Sequence, residues 1–163
     1  MDLNFRTPSN TTNECSDPPY GQCSFYADCL KARYHCGPNG YPIGYGLKYC
    51  EKFKAAQPTF SSQGQVWLTN TRKCLQDAFI PEATGGVGAV KTCNELMDKD
   101  FNIHPGCYLD NGICSLPPSD WLAIVDIVSL KTIFSSWGAM KAVLETGAGC
   151  LDFYSFLVVE KRY

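Results

Sequence analysis

Ten cysteines, Cys15, Cys23, Cys29, Cys36, Cys50, Cys74, Cys93, Cys107, Cys114 and Cys150, constrain this chain more than any other feature. An even set spread over the whole length is what an oxidising compartment permits and a reducing cytosol does not. Zinc binding is the rival use of so many thiols. No C-x-x-C occurs, however, and His35 and His104 do not stand at the spacings a tetrahedral site requires. A reactive thiol would need a lone cysteine beside a base, which an even, dispersed set does not suggest. Structural pairing into five intrachain disulfides is the simplest reading, and spacing alone leaves the connectivity open. A bridge closing a loop of about 30 residues stabilises by roughly 3–4 kcal/mol in the chain-entropy description. Cross-links of this kind can hold together short helices and long connections that core volume alone would not.

The 163 residues suit one domain, and with 45% hydrophobic and 18% charged residues they can form a core. Fourteen basic and 16 acidic residues are interspersed, for a formal charge of −2, and no basic run follows a phosphate backbone. Nucleic acid is therefore not an expected partner. The longest strongly apolar stretch, Trp121 to Val128, is interrupted by Asp126 and is too short to span a bilayer. Met1 to Thr12 lacks the apolar centre of a secretory leader and reads as a mature or trimmed N-terminus. Asn10-Thr11-Thr12 is a sequon. With the cysteines it points to a secreted chain glycosylated at Asn10. No cofactor or metal is expected.

Helical spacing dominates the rest, so the fold class expected is all-α and disulfide-rich. Residues 1–22 carry Pro8, Pro18 and Pro19 and read as an extended arm tethered by Cys15. From Cys23 to Tyr34, Tyr26, Leu30 and Tyr34 recur at helical intervals. Gly37 to Gly46 concentrates Gly and Pro and reads as a loop, with helix resuming from Leu47 to Ala56. Ser62 followed by Gln65 reads as a capping box, opening a central helix with an apolar stripe from Trp67 to Phe79. Thr84 to Gly88 is a Gly-rich connector without the ending of a phosphate cradle. Val90 to Lys99 reads as a further helix, and His104-Pro105 as a break.

Asp110-Asn111-Gly112 is turn chemistry rather than a calcium loop. Ser119 is the expected N-cap of a helix from Asp120 to Phe134, whose acidic first turn suits the dipole. A final helix over Trp137 to Thr146 would stop at Gly147. The tail, residues 151–163, is rich in aromatic and β-branched residues and prefers extended structure, with a short helix as the alternative. The domain expected is thus 23–150, flanked by the arm and the tail.

The order and intervals of the cysteines from Cys15 to Cys150 resemble those of the stanniocalcin family of secreted glycoprotein hormones. Two local motifs carry the same resemblance. Phe60 to Gln76, FSSQGQVWLTNTRKCLQ, is similar to the family stretch in which Phe, Gln-Gly and an aromatic precede Lys-Cys. Cys107 to Cys114, CYLDNGIC, is similar to its pair of cysteines at that interval. The resemblance implies the pairs Cys15–Cys29, Cys23–Cys50, Cys36–Cys93, Cys74–Cys107 and Cys114–Cys150. Three departures go with it, one of them an expanded Gly/Pro/Tyr loop at Gly37 to Gly46. The family's later segment, with its dimer-forming cysteine, has no counterpart after Cys150, so a covalent dimer is not expected. The family's sequon lies between its third and fourth cysteines, where Leu30 to His35 has none.

What the resemblance implies about function is mineral-balance signalling and inhibition of an extracellular protease, by a protein that is not an enzyme. Its partner would be an extracellular protein or receptor, or copies of itself. Tyr41, Tyr45 and Tyr49 could form a recognition surface, although aromatic residues among glycines more simply pack over disulfides. Phe153, Tyr154 and Phe156 could let the tail add to a neighbouring subunit of an extracellular assembly. A secreted hydrolase would use His35 or His104 as general base, but no nucleophile motif accompanies either.

Overall fold

The structure, a computed structural model, describes residues 11–128 and 150–161, with side chains over 13–128 and 150–159. Regular structure among these residues is helical throughout, in eight helices without a strand. Helix α1 is Thr11–Ser16; α2 is a π-helical stretch, Tyr26–Leu30, that runs into Lys31–Arg33. Helix α3 likewise begins as a π-helix, Tyr41–Leu47, and continues through Lys48–Ala56. The others are α4, Ser62–Asp77; α5, Ile80–Thr84; α6, Cys93–Asp110; α7, Pro118–Ile127; and α8, Leu151–Lys161. Short 3₁₀ turns at Gln57–Thr59 and Ile113–Ser115 follow α3 and α6. No described helix is long and apolar enough to cross a membrane.

Cysteine pairing in the structure is Cys15–Cys29, Cys23–Cys50, Cys36–Cys93, Cys74–Cys107 and Cys114–Cys150, the same five pairs that the resemblance implies. The bridges lie around two buried clusters. One gathers Phe53, Trp67, Leu68, Tyr108, Trp121 and Phe153 from α3, α4, α6, α7 and α8. The other gathers Phe25, Tyr26, Leu30, Tyr41, Phe79 and Leu96 around the N-terminal half. Ile103 packs against both.

Several local expectations are corrected. Within the expected arm, residues 11–16 are helical rather than extended. Ser16 Oγ bonds the carbonyl of Asn13 at 3.0 Å, and the Cys15 bridge holds the turn down before Pro18 and Pro19 stop it. The Gly/Pro loop gives way to helix at Tyr41, six residues before the expected restart. Pro42 stands in the first turn, where its missing N–H costs nothing, and Tyr41 is anchored by stacking on Phe79 at 5.1 Å. Gly46 is required there by close approach, since a Cβ would lie 2.3 Å from the Tyr26 ring.

The N-cap of α4 is Ser61, not Ser62: Ser61 Oγ accepts from the Gly64 amide at 3.0 Å, while Gln65 Nε2 bonds the Phe60 carbonyl. The choice is made by Asp120, whose buried carboxylate accepts from the Ser61 amide at 2.9 Å and its hydroxyl at 2.5 Å. Asp120 therefore joins two helix N-termini as well as serving the dipole of its own. Helix α7 starts at Pro118, two residues before the Asp120 start that a Ser119 cap would give, with Pro118 in its first turn and no side-chain cap.

Helix α6 starts at Cys93, not Val90, because Thr92 and Glu95 form a capping box: Thr92 Oγ1 accepts from the Glu95 amide and Glu95 Oε2 from the Thr92 amide. It then continues through Pro105 instead of breaking. Beyond the proline, the Cys74–Cys107 bridge and a hydrogen bond from Trp67 Nε1 to the Tyr108 carbonyl at 3.1 Å tie the last turns to α4. Tertiary ties outweigh the one backbone bond lost.

The tail is helical as α8, not extended. Phe153 and Leu157, one turn apart, are each 1% exposed and face the first cluster, so burial on one stripe overrides β-propensity. Phe153 is thus not available to a neighbouring subunit. Tyr154 and Phe156 are half-buried against the same cluster. The helix expected over Trp137 to Thr146, residues 129–134 of the helix expected to end at Phe134, and Asn10 lie outside the described residues.

Candidate functional site

Two helix faces with the same repeat meet at the seam between the clusters. On α3, Tyr41, Tyr45 and Tyr49 recur every four residues. On α6, Asp100, His104 and Tyr108 do the same, and all six line one cavity of about 70 Å³. Residues four apart share a helix face, so each ladder points one way by construction. Tyr26 from α2 and Arg72 from α4 complete the polar part of the lining.

Burial corrects the surface reading at Tyr41. Tyr41 is 2% exposed and forms inner wall, while Tyr45, 36% exposed, and half-buried Tyr49 stand at the rim. Lys48 and Lys52 each place Nζ 5.6 Å from the centre of the Tyr49 ring, which adds positive charge to the rim.

Asp100 is the hub of the wall. Tyr41 Oη donates to Asp100 Oδ1 at 2.9 Å, and His104 Nδ1 lies 3.0 Å from the same oxygen and 2.8 Å from the Asp100 carbonyl. Burial by itself lowers the His104 pKa, but the charge and hydrogen bonds of Asp100 outweigh it, so the imidazolium is favoured above its ordinary 6.5. Burial first, then the charge of Asp100, pushes the phenols of Tyr26, Tyr41 and Tyr108 upward, and all three stay neutral. Arg72, which lines the same cavity, is 6% exposed and donates through Nη2 to Gln57 Oε1 at 2.9 Å. Its Nε and Nη1 find no hydrogen-bond partner, and no carboxylate pairs with it among the described residues.

His35 is exposed and is not among the lining residues, whereas His104 is. Sequence reasoning missed Asp100 and Arg72. The Asp100, His104, Tyr108 spacing was readable, but only if α6 is allowed to pass through Pro105. Arg72, one turn on from Leu68 on the buried side of α4, gave no compositional signal.

A family model matches residues 23–147, and its family is that of stanniocalcin. The match takes in most of the 163 residues, so the chain belongs to the stanniocalcin family, whose members are secreted, hormone-like glycoproteins. The five bridges agree with an extracellular setting. Comparison with curated proteins and with solved structures gives no match.

Proposed function

We propose that this chain is a non-catalytic regulatory glycoprotein that acts outside the cell by binding another protein, as a receptor ligand or as an inhibitor of a protease. The observation that carries the reading is the family match over residues 23–147 together with a framework of five bridges. A rigid cross-linked surface loses little entropy on binding, which suits recognition. A hydrolase reading would need a nucleophile beside His104, and among the described residues the cavity lining holds no serine or threonine and only a bridged cysteine, Cys50. Assembly through the tail as an added strand would require Phe153 and Leu157 to leave the core.

Binding of labelled, natively oxidised chain to intact epithelial cells tests the proposal. Saturable binding that unlabelled chain competes away, and that reduction abolishes, supports it. Turnover of an ester or peptide substrate that His104→Ala removes would replace it with an enzymatic role. Glycosylation at Asn10 predicts a mass loss on treatment with an N-glycan amidase, absent from Asn10→Gln.

A further inference from the structure

Two lysines and two tyrosines crowd the outer edge of α3. Lys48 and Lys52 each hold Nζ 5.6 Å from the centre of the Tyr49 ring, and the Tyr45 ring lies 6.4 Å from that of Tyr49. Both lysines are exposed, and neither enters an ion pair among the described residues. On the exposed side of α3 they and Lys54 stand against Glu51 alone, so this face is net positive. Tyr45 and Tyr49 also line the cavity of about 70 Å³, whose inner wall includes Phe53, Leu75 and Tyr108. That lining reaches the surface, since Tyr45 is 36% exposed, the His104 side chain is 26% exposed, and Gly46 and Phe101 are half-buried. Asp100, the one acid in the lining among the described residues, is buried and held by Tyr41 and His104, so it offers no free charge to oppose an anion. An apolar cavity of about 150 Å³ takes up benzene, so roughly half that volume suits a branch of about three carbons and is too small for a ring.

We propose that the mouth between α3 and α6 docks an acidic segment of a partner protein, which seats one valine-sized side chain in the cavity and sets its carboxylates against Lys48 and Lys52. Charge complementarity chooses the occupant: exposed lysines steer an anionic segment in, and a small apolar cavity between tyrosines fixes its register. The contacts of both lysines with the Tyr49 ring hold their charges at the rim. This inference rests on the protein-binding reading above and gives the partner's chemistry.

Titration of the intact, oxidised chain with the blocked peptide Glu-Asp-Val-Asp-Glu, followed by the aromatic-ring resonances, is the direct experiment. The peptide is expected to saturate and to move the rings of Tyr45, Tyr49 and Phe101. Glu-Asp-Gly-Asp-Glu lacks the side chain that fills the cavity and is expected to bind at least about tenfold more weakly. Gln-Asn-Val-Asn-Gln lacks the charge and should lose a similar factor, and raised salt should weaken the acidic peptide but not this neutral one. Glu-Asp-Phe-Asp-Glu should also bind more weakly, because its ring exceeds the cavity. Lys48→Glu/Lys52→Glu, confined to exposed residues, is expected to cut binding of the acidic peptide at least about tenfold while Tm is kept. Tyr45→Ala, at the rim, should weaken binding of the valine peptide more than that of the glycine peptide. Equal binding of the valine, glycine and neutral peptides, unchanged binding in Lys48→Glu/Lys52→Glu, shifts confined to other rings, or no saturable binding would overturn the site. These outcomes involve no cell, so they leave saturable cell binding standing, whereas a chain that binds the acidic peptide at these rings but no cell keeps the site and overturns the regulatory reading.

Discussion

Glu82 has a carboxylate with no exposed surface, and Lys99 is its ion-pair partner among the described residues: Lys99 Nζ donates to Oε1, while Oε2 has no hydrogen-bond partner. Taking away the lysine strands the carboxylate, so Lys99→Met is expected to lower stability by about 3 kcal/mol, measured by urea unfolding. Changing both residues, Glu82→Gln with Lys99→Met, removes the stranded charge and should recover most of that loss. A double mutant no more stable than the single would show that the pair is not coupled. His104 gives a second residue-scale prediction. Its folded pKa is raised, so the protonated pair with Asp100 contributes stability that is fully present below the unfolded pKa and is lost as pH rises through the folded value. Tm should therefore fall from acid toward mildly alkaline pH by a component that His104→Gln lacks. A component that grows with rising pH would reverse the assignment.

At the scale of elements, most helices were legible from spacing, and the misplacements share causes. The start of α4 moved by one residue because Asp120, 59 positions away along the chain, selects Ser61 as the cap. No local pattern encodes that choice. The continuity of α6 through Pro105 was illegible for the same reason, since the Cys74–Cys107 bridge and the Trp67 to Tyr108 bond come from another helix. Once the break at Pro105 is assumed, Asp100 and Tyr108 fall on separate segments and the acidic half of the cavity disappears from view. Tyr41 was chosen for its aromatic ring among glycines, but the same ring is what buries it against Phe79. The tail shows propensity losing to burial, because Phe153 and Leu157 have a core face to reach. Ending the chain at Leu151 is expected to lower Tm, and to leave the sedimentation coefficient that of the same oligomeric state. Dissociation of a larger assembly on truncation would instead support subunit contacts through α8.

Over the whole molecule, five bridges join segments whose separations run from 14 residues, at Cys15–Cys29, to 57, at Cys36–Cys93. In the chain-entropy description these two extremes contribute about 3 and about 4 kcal/mol, without simple additivity. Such cross-links accommodate features that weaken a small core. They include π-helical turns in α2 and α3, a proline inside α6, an uncompensated guanidinium and a cavity between two hydrophobic clusters. The cysteine order made this architecture legible in outline, whereas the cavity depends on how the two clusters meet and could be seen only in the fold. Peptide mapping by mass spectrometry, on natively secreted and unreduced chain digested at acid pH, tests the framework most directly. The pairs expected are Cys15–Cys29, Cys23–Cys50, Cys36–Cys93, Cys74–Cys107 and Cys114–Cys150; free thiols or crossed pairs among these ten residues would contradict it.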